Sequence, residues 1–260
     1  MFAYRNRFHY LAIQHLSPLV IREFVTSFKP INTDYPLIRI GSPYDGGYLI
    51  PDDIQGIKAC FSPGVSNNAS FELHLAQRGI PCYLADYSVD TPPCTHPLIH
   101  FDRRFLGPKT VGNFLSLSDW ISLSEQHHGD LLLQMDIEGA EYNVLTSLNL
   151  STLKRFRIIV LELHGLGQLA SLKTGLFDTK KLIRCAKLLS RHFYTVHLHP
   201  NNVSALTTVG KYELPDYLEV TLIRKDRVRS RSYAKAFPHQ LDAPNIPSIP
   251  DLVLPQCFYS

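Results

Sequence analysis

The sequence lacks several features that mark whole classes of proteins. No segment reaches the roughly 18 uninterrupted apolar residues that a membrane-spanning helix needs, and the five cysteines contain no Cys-x-x-Cys pair. The net charge is only +3, too small to predict binding to nucleic acid. The first 14 residues carry polar side chains where a secretory signal needs an unbroken apolar core. We therefore expect a reduced, cytoplasmic protein with no transmembrane segment and no nucleic-acid partner.

The composition is that of a globular chain. Hydrophobic residues make up 45% of the sequence and charged residues 19%, which excludes global disorder. A length of 260 residues suits one large α/β domain, alone or with an appendage. The sequence leaves the oligomeric state open.

Short apolar runs alternate with amphipathic segments along most of the chain. Strands are predicted at 37–40, 48–50, 59–61, 82–85, 98–101, 131–136, 158–161, 194–197 and 218–223. Helices are predicted at 6–28 with an interruption near Ser17-Pro18, at 68–78, at 117–127 with Ser116 or Ser118 as N-cap, after Gly139, and after a cap at Asp178. This alternation predicts an α/β fold with a doubly wound, mostly parallel sheet and helices on both faces; the final strand could run antiparallel.

The predicted elements divide the chain into three parts. We expect an N-terminal helix and lead-in segment over 1–50 and the sheet domain over 51–237. Residues 238–260 are rich in proline, so we expect an extended C-terminal tail that packs on the domain.

The most informative segment is Met135-Asp136-Ile137-Glu138-Gly139-Ala140-Glu141. Two carboxylates end an apolar strand, a glycine turns the chain, and an amphipathic stretch follows. Ligands of open α/β sheets bind at the carboxyl ends of the strands, so a carboxylate in this turn is a functional candidate. Two other interpretations stay open: Glu138 could cap the following helix, and Glu141 is expected to face solvent or to pair locally.

The loop after the first strand of the sheet domain is a candidate cofactor site. Gly64 lets the backbone approach a ligand, and the next helix offers free N–H groups near Ser66. The loop is not the dinucleotide fingerprint, because the GxGxxG spacing is missing. Asp86 ends the next strand, 22 residues after Gly64, where an acidic residue commonly binds the ribose of an adenosine cofactor. Turn chemistry alone also produces this pairing.

Several motifs together resemble the FkbM-type methyltransferases. They are Asp45-Gly46-Gly47-Tyr48, the loop 62–66 with Phe71-Glu72, Ala85-Asp86-Tyr87-Ser88, the segment 135–141, and Glu162-Leu163-His164. The resemblance implies a Rossmann-like fold that binds S-adenosylmethionine and methylates hydroxyls, often on sugars or secondary metabolites. It also implies that Gly64 and its neighbours line the methionine end and that Asp86 holds the ribose. The loop is poorer in glycine than in many methyltransferases.

Ionisable side chains end two strands that are expected to be neighbours. Asp136 follows one strand; Glu162 and His164 follow the next and share a face if that strand reaches residue 164. Methyl transfer to a hydroxyl needs in-line positioning and a base, and histidine titrates close to neutral pH. We expect His164 as the base, Asp136 where cofactor and acceptor meet, and Glu162 as a second acid. A structural pair of Glu162 and His164 is the alternative.

A divalent metal bound by Asp136, Glu162 and His164 is chemically sensible. The spacing does not require it, and the sequence favours a metal-free mechanism. His197 and His199 are expected to be satisfied structural histidines. The basic strip 224–235 could meet phosphate or anionic lipid, although a solvated loop is the favoured interpretation.

The sequence thus predicts an S-adenosylmethionine-dependent O-methyltransferase with a small-molecule or glycan acceptor: a saccharide, glycoconjugate or secondary metabolite. An NAD(P)-dependent oxidoreductase would also use Asp86, but GxGxxG and a Tyr-x-x-x-Lys pair near the sheet rim are missing. A catalytically silent Rossmann-like binding module is the other alternative. The joint presence of Asp136, Glu162 and His164 speaks against it.

Overall fold

The structure, a computed structural model, describes residues 17–170 and 179–260. The helices are α1 (Pro18–Ser27), α2 (Ser70–Gln77), α3 (Leu117–Leu123), α4 (Glu141–Ser147), α5 (Leu150–Leu153) and α6 (Thr179–His192). The strands are β1 (Ile31–Thr33), β2 (Leu37–Gly41), β3 (Gly47–Pro51), β4 (Ala59–Pro63), β5 (Cys82–Ala85), β6 (Ile99–Asp102), β7 (Phe105–Gly107), β8 (Phe114–Ser116), β9 (Leu131–Met135), β10 (Phe156–His164), β11 (Phe193–Pro200), β12 (Leu206–Val209), β13 (Tyr212–Pro215), β14 (Tyr217–Arg224) and β15 (Arg231–Tyr233).

Seven strands form a central sheet in the order β11-β14-β10-β9-β4-β5-β6. The pairs β10–β9, β9–β4, β4–β5 and β5–β6 are parallel, whereas β14 runs antiparallel to both β10 and β11. The sheet is therefore mostly parallel, as predicted, and its last strand is the antiparallel one. Because β4, β9 and β10 are adjacent, the segments that follow them meet at one edge.

Both faces of the sheet are covered, so its middle strands are buried along their whole length. Phe61 and Leu133 point into a large apolar cluster that includes side chains of α1, α3, α4 and α6. Cys60 and Leu132 point the opposite way, toward α2 and the β2–β3 hairpin. Trp120 of α3 packs edge-on against Phe61 at a centroid distance of 5.1 Å.

Several predicted bounds differ from the structure. The helix expected to reach residue 127 ends at Leu123, because Glu125 adopts a left-handed backbone (φ 60°) that closes it; its N-cap is Ser116. β10 and β11 run further than predicted because both keep pairing with β14. Of the predicted helix 6–28, residues 6–16 lie outside the described residues, as does the proposed cap Asp178.

The C-terminal residues pack on the body of the protein largely without regular secondary structure. Phe258 and Leu254 are buried in the large apolar cluster, and Asn245 and Asp251 contact side chains of β14 and β11. All five cysteines are free thiols. Across residues 17–170 and 179–260, no helix combines the length and the apolar character that crossing a bilayer requires.

Candidate active site

A cavity of about 460 Å³ opens beyond the carboxyl ends of β4, β5 and β9. Its volume falls in the usual range for small-molecule sites. The lining residues come from the loops that follow these three strands, from the turn before β3, from strands β3, β7, β8 and β9, and from the start of α2. Of the six residues singled out by sequence, Gly64, Ser66, Asp86 and Asp136 line this cavity.

The loop after β4 touches the turn after β9. Gly64 has φ 86°, and a Cβ atom there would lie 1.6 Å from the backbone oxygen of Asp136. Only glycine fits this close approach and this backbone conformation. The contact places the predicted cofactor loop directly against the segment 135–141.

Asp86, the predicted ribose-binding residue, is hydrogen-bonded to the loop after β4. Its buried carboxylate accepts hydrogen bonds from Ser66 N through Oδ2 (2.8 Å) and from Ser88 N and Oγ through Oδ1 (2.7 and 2.6 Å). A carboxylate offers about four acceptor positions, so one remains for a ligand. Asp86 therefore both holds the loops together and faces the cavity.

Two exposed phenylalanines at the mouth of the cavity were missed by the sequence analysis. Phe105 of β7 and Phe114 of β8 line the cavity, and their ring centroids lie 5.6 Å apart. Three-residue strands are too short to show a periodic pattern, so the sequence carried no signal for them. The pair offers an apolar surface for a flat ring.

A buried polar network at the cavity wall was also missed. Ser62 Oγ contacts both Glu72 Oε1 and Gln134 Oε1, and Gln134 Nε2 donates to Tyr48 Oη (3.3 Å). Burial raises the pKa of Glu72 to about 7. Because the serine hydroxyl has one proton for two acceptors, a protonated Glu72 satisfies the trio. Tyr48 and Glu72 belong to quoted motifs, but nothing in their spacing predicted this contact.

The predicted catalytic residues meet beside the cavity. Leu161 of β10 is level with Met135 of β9, which brings the side chains after both positions together. His164 is 2% exposed, and its Nε2 lies 3.5 Å from Asp136 Oδ1 and 3.6 Å from Glu162 Oε2. β10 does continue to residue 164, as the shared-face prediction required.

Two further glutamates complete this group. Glu138 Oε2 lies 3.4 Å from His164 Nε2, and Glu141 Oε1 lies 3.4 Å from Nδ1. The helix-cap interpretation of Glu138 is wrong, because α4 begins after Ala140 without a side-chain cap. Glu141 pairs locally, accepting from Ile137 N (2.8 Å) and Gly139 N (3.2 Å), but it is fully buried and does not face solvent.

The crowding of carboxylates shifts several pKa values. Burial and the neighbouring Glu162 raise the pKa of Asp136 to about 9. Burial lowers the pKa of His164, but Glu141, Glu162 and Asp136 outweigh it and raise the value to about 9. The sequence argument for His164 as a base assumed a value close to neutral, and this environment instead favours a positive charge at Nε2.

The comparison with protein families covers the same residues. Residues 62–183 match the model of the methyltransferase FkbM domain. Residues 62–183 are therefore similar to an FkbM-type methyltransferase domain, and the match supports a methyltransferase. The matched range contains all six residues predicted to form the site, and the family generally uses S-adenosylmethionine.

The other comparisons add little to the FkbM match. No curated protein sequence matches the chain. One solved structure comes from work on "Conversion of a Disulfide Bond into a Thioacetal Group during Echinomycin Biosynthesis". It is 12% identical, covers 70% of this chain and 88% of its own, and has a TM-score of 0.32, too low to inform fold or activity.

His197 and His199 lie beyond the residues matched to the FkbM domain. His199 Nδ1 lies 3.2 Å from Glu219 Oε2 and its Nε2 lies 3.2 Å from Asp251 Oδ1. His197 Nε2 lies 2.9 Å from Asp242 Oδ1. Both rings lie between the sheet and the C-terminal residues. His199 has a partner at each ring nitrogen, as predicted, whereas His197 Nε2 is close to Asp242 but makes no hydrogen bond of good geometry among the described residues.

The basic strip 224–235 also lies outside the FkbM match. Arg224 pairs with Asp130 (2.8 Å) and Asp226 (2.7 Å), and Arg227 pairs with Asp53 (2.7 Å). These two arginines anchor the strip to the body, so it is not a uniformly solvated loop.

Proposed function

We propose that the FkbM domain transfers the methyl group of S-adenosylmethionine to a hydroxyl of a saccharide, glycoconjugate or secondary metabolite. The observation that carries this proposal is one continuous cavity. It has Gly64, Ser66 and Asp86 on one side, and Asp136, which also belongs to the histidine–carboxylate group, on the other. A cofactor and an acceptor can meet there at a polar centre.

The cofactor runs along the strand ends in this proposal, over a doubly wound Rossmann-like sheet. Its methionine part lies against the loop at Gly64 and Ser66, where glycine permits a close approach. One of its ribose hydroxyls would donate to the free acceptor position of Asp86. Its adenine would pack on Phe105 and Phe114, which are 41% and 44% exposed.

The acceptor hydroxyl reaches the methyl group beside Asp136. As the methyl group leaves the sulfonium sulfur and the new C–O bond forms, a carboxylate beside the positively charged His164 would take the hydroxyl proton. Glu162 holds this pair in place and is itself held by Asn201 Nδ2, which donates to Glu162 Oε1 at 2.7 Å. Most of the acceleration then comes from in-line positioning of acceptor and cofactor.

The cellular setting and the partners are part of the same proposal. Five free thiols, two of them directly opposite each other at Cys60 and Cys82, fit a reducing, cytoplasmic environment. The acceptor is a small molecule or a glycan.

A thermal-shift experiment with S-adenosylhomocysteine and with NAD⁺ tests the cofactor assignment. A ligand at 100 times its dissociation constant stabilises the folded state by about 2.7 kcal/mol, so S-adenosylhomocysteine should raise the melting temperature clearly. NAD⁺ should have no effect. Stabilisation by NAD⁺ alone would overturn the proposal.

Methyl-labelled S-adenosylmethionine tests the reaction. A panel of hydroxylated sugars, glycoconjugates and polyketide-like alcohols is incubated with the protein, and label in the acceptor is counted. We expect label in an ether-linked methyl group. Label on nitrogen or sulfur acceptors alone would contradict O-methylation.

A further inference from the structure

The group around His164 contains an arrangement that neither the fold nor the FkbM match explains. Asp136 Oδ1, Glu138 Oε2 and His164 Nε2 lie within 4.8 Å of one another, and Glu162 Oε2 lies 3.6 Å from the same nitrogen. We propose that these residues bind one divalent cation at the acceptor side of the cavity, with Asp136, Glu138 and His164 as the principal ligands. The site stands on ligand geometry alone; its role in catalysis rests on the proposed methyl transfer.

Only one ring nitrogen of His164, Nδ1, has a hydrogen-bond partner among the described residues. Nδ1 lies 3.2 Å from the backbone oxygen of Glu162 and 3.4 Å from Glu141 Oε1. Metal-bound histidines characteristically donate their second ring N–H to a carboxylate or a carbonyl in this way. With the proton on Nδ1, Nε2 carries a lone pair and lies 3.4–3.6 Å from the carboxylates of Asp136, Glu138 and Glu162.

One carboxylate oxygen that faces this nitrogen also lacks a donor. Asp136 Oδ1 is shielded from solvent and has no hydrogen-bond partner among the described residues. Within the same part of the chain, His164 Nε2 makes close contacts but no hydrogen bond of good geometry, although its ring is 2% exposed. A buried lone pair facing carboxylates is repulsive unless a proton or a cation lies between them. The cavity gives a cation access, because Asp136 and Glu138 line it.

The unfavourable backbone conformation of Glu138 also indicates a ligand. Its backbone is left-handed (φ 55°), which disfavours any residue except glycine, and its side chain is 88% exposed. It makes no helix cap. The strained backbone brings its carboxylate to the buried histidine, and this contact gains energy chiefly when a positive charge is present.

The donors indicate the class of cation. Carboxylate oxygens suit Mg²⁺ and Mn²⁺, and an imidazole nitrogen favours transition metals, so Mn²⁺ matches the mixed set best. A cation there would lower the pKa of a coordinated hydroxyl and orient it toward the methyl group. The sequence alone favoured a metal-free mechanism; the geometry points the other way.

The test measures Mn²⁺ binding to the full chain after chelator treatment. Binding is detected as a loss of the electron paramagnetic resonance signal of free Mn²⁺. We expect one Mn²⁺ per chain. Glu138→Gly should weaken binding at least about tenfold, the smallest effect expected for a ligand. Glu125→Gly is the matched control, because Glu125 is also an exposed glutamate at positive φ (60°), and it should bind as wild type does.

Two outcomes would overturn the cation site. One is no loss of free-ion signal at millimolar Mn²⁺; the other is binding that Glu138→Gly and Asp136→Asn leave unchanged. S-adenosylhomocysteine binding is measured on the same samples. S-adenosylhomocysteine binding without Mn²⁺ binding would overturn the cation site and leave the methyltransferase proposal standing. Mn²⁺ binding without S-adenosylhomocysteine binding would support the cation site and contradict the methyltransferase proposal.

Discussion

Two histidine–carboxylate clusters lie side by side in the sheet and differ in how their histidines are bonded. We call His164 with Asp136, Glu138, Glu141 and Glu162 the open cluster, and His199 with Glu219, Asn245 and Asp251 the closed cluster. In the closed cluster both ring nitrogens have carboxylate partners at 3.2 Å. In the open cluster Nε2 faces carboxylates at 3.4–3.6 Å without a hydrogen bond of good geometry.

The two clusters share a border, so their difference is not one of location in the fold. Glu162 of β10 lies directly opposite Glu219 of β14. Each of these glutamates accepts from one asparagine, Asn201 (2.7 Å) and Asn245 (2.6 Å). What differs is the number of histidine ring nitrogens that have a hydrogen-bond partner. A histidine whose two nitrogens are both satisfied fixes a structure, and one left with an unsatisfied nitrogen beside a cavity is available to a ligand.

The largest predicted effect is on the closed cluster. His199→Ala removes the cation that Glu219 and Asp251 share. Leaving the buried Glu219 without it costs about 3–5 kcal/mol of unfolding free energy. Urea denaturation measures it, with the exposed His128→Ala as control. A loss of unfolding free energy no greater than that of the control would contradict the difference between the two clusters, because His199 would then not stabilise the fold.

The same cluster predicts how stability changes with pH. Burial lowers the pKa of His199, but Asp251 and Glu219 outweigh it and raise the value to about 10, against about 6.5 in an unfolded chain. The stabilisation is therefore complete below about pH 6.5 and is lost as the pH rises toward 10. Denaturation curves of wild type and His199→Ala should converge over that interval. A gap of constant size would contradict a protonated His199.

The next effect concerns the cofactor end of the open cluster's cavity. Asp86→Ala should weaken binding of S-adenosylhomocysteine by about 1.5–3 kcal/mol, the range for hydrogen bonds to a charged group. It also removes the acceptor for Ser66 and Ser88, so some stability should be lost. Calorimetry on the folded variant measures the affinity, and the exposed Asp90→Ala is the control. Equal affinities in the two variants would exclude Asp86 from the ribose site.

The smallest effect is a gain in stability. Glu138→Gly and Glu125→Gly each relieve a left-handed backbone at the cost of glycine's greater freedom when unfolded, a net gain of about 0.5–1 kcal/mol. In metal-free protein both variants should therefore be stabilised alike in urea. Only Glu138→Gly should lose methyl transfer, and equal activity in both would sharply weaken the case for a functional Glu138.

The fold was largely predictable because its strands are long, apolar and buried on both faces. The run 131–135 cannot be amphipathic, and the two carboxylates that end it mark a strand end. The antiparallel β14 was left open, since periodicity says nothing about direction. The hairpin-sized strands β7, β8, β12 and β13 were missed because three or four residues are too few to form a pattern.

The sequence predicted which residues form the site, but not which hydrogen bonds and close contacts they make. Asp136, Glu162 and His164 do converge, because neighbouring parallel strands bring their ends to one edge. The local pairing of Glu141 was foreseen, but its burial and the position of the Glu138 carboxylate were not. Both depend on the backbone of the turn: Glu138 has φ 55° and its carboxylate lies beside His164, and the N–H group of Ile137 donates to the buried Glu141. Neither property has a sequence signal beyond the glycine at 139.

The most direct test of the difference between the clusters is a matched pair of isosteric variants. Asp136 belongs to the open cluster and Asp251 to the closed one, and both side chains are 27% exposed. Asp136→Asn should lower turnover at least tenfold, equivalent to about 1.4 kcal/mol or more. The unfolding free energy of the metal-free protein should stay close to the wild-type value at neutral pH, because Asp136, with a pKa of about 9, is already protonated there. Asp251→Asn should lower the unfolding free energy and leave turnover intact. Near-normal turnover of Asp136→Asn, with S-adenosylhomocysteine still bound, would contradict a catalytic role for the open cluster.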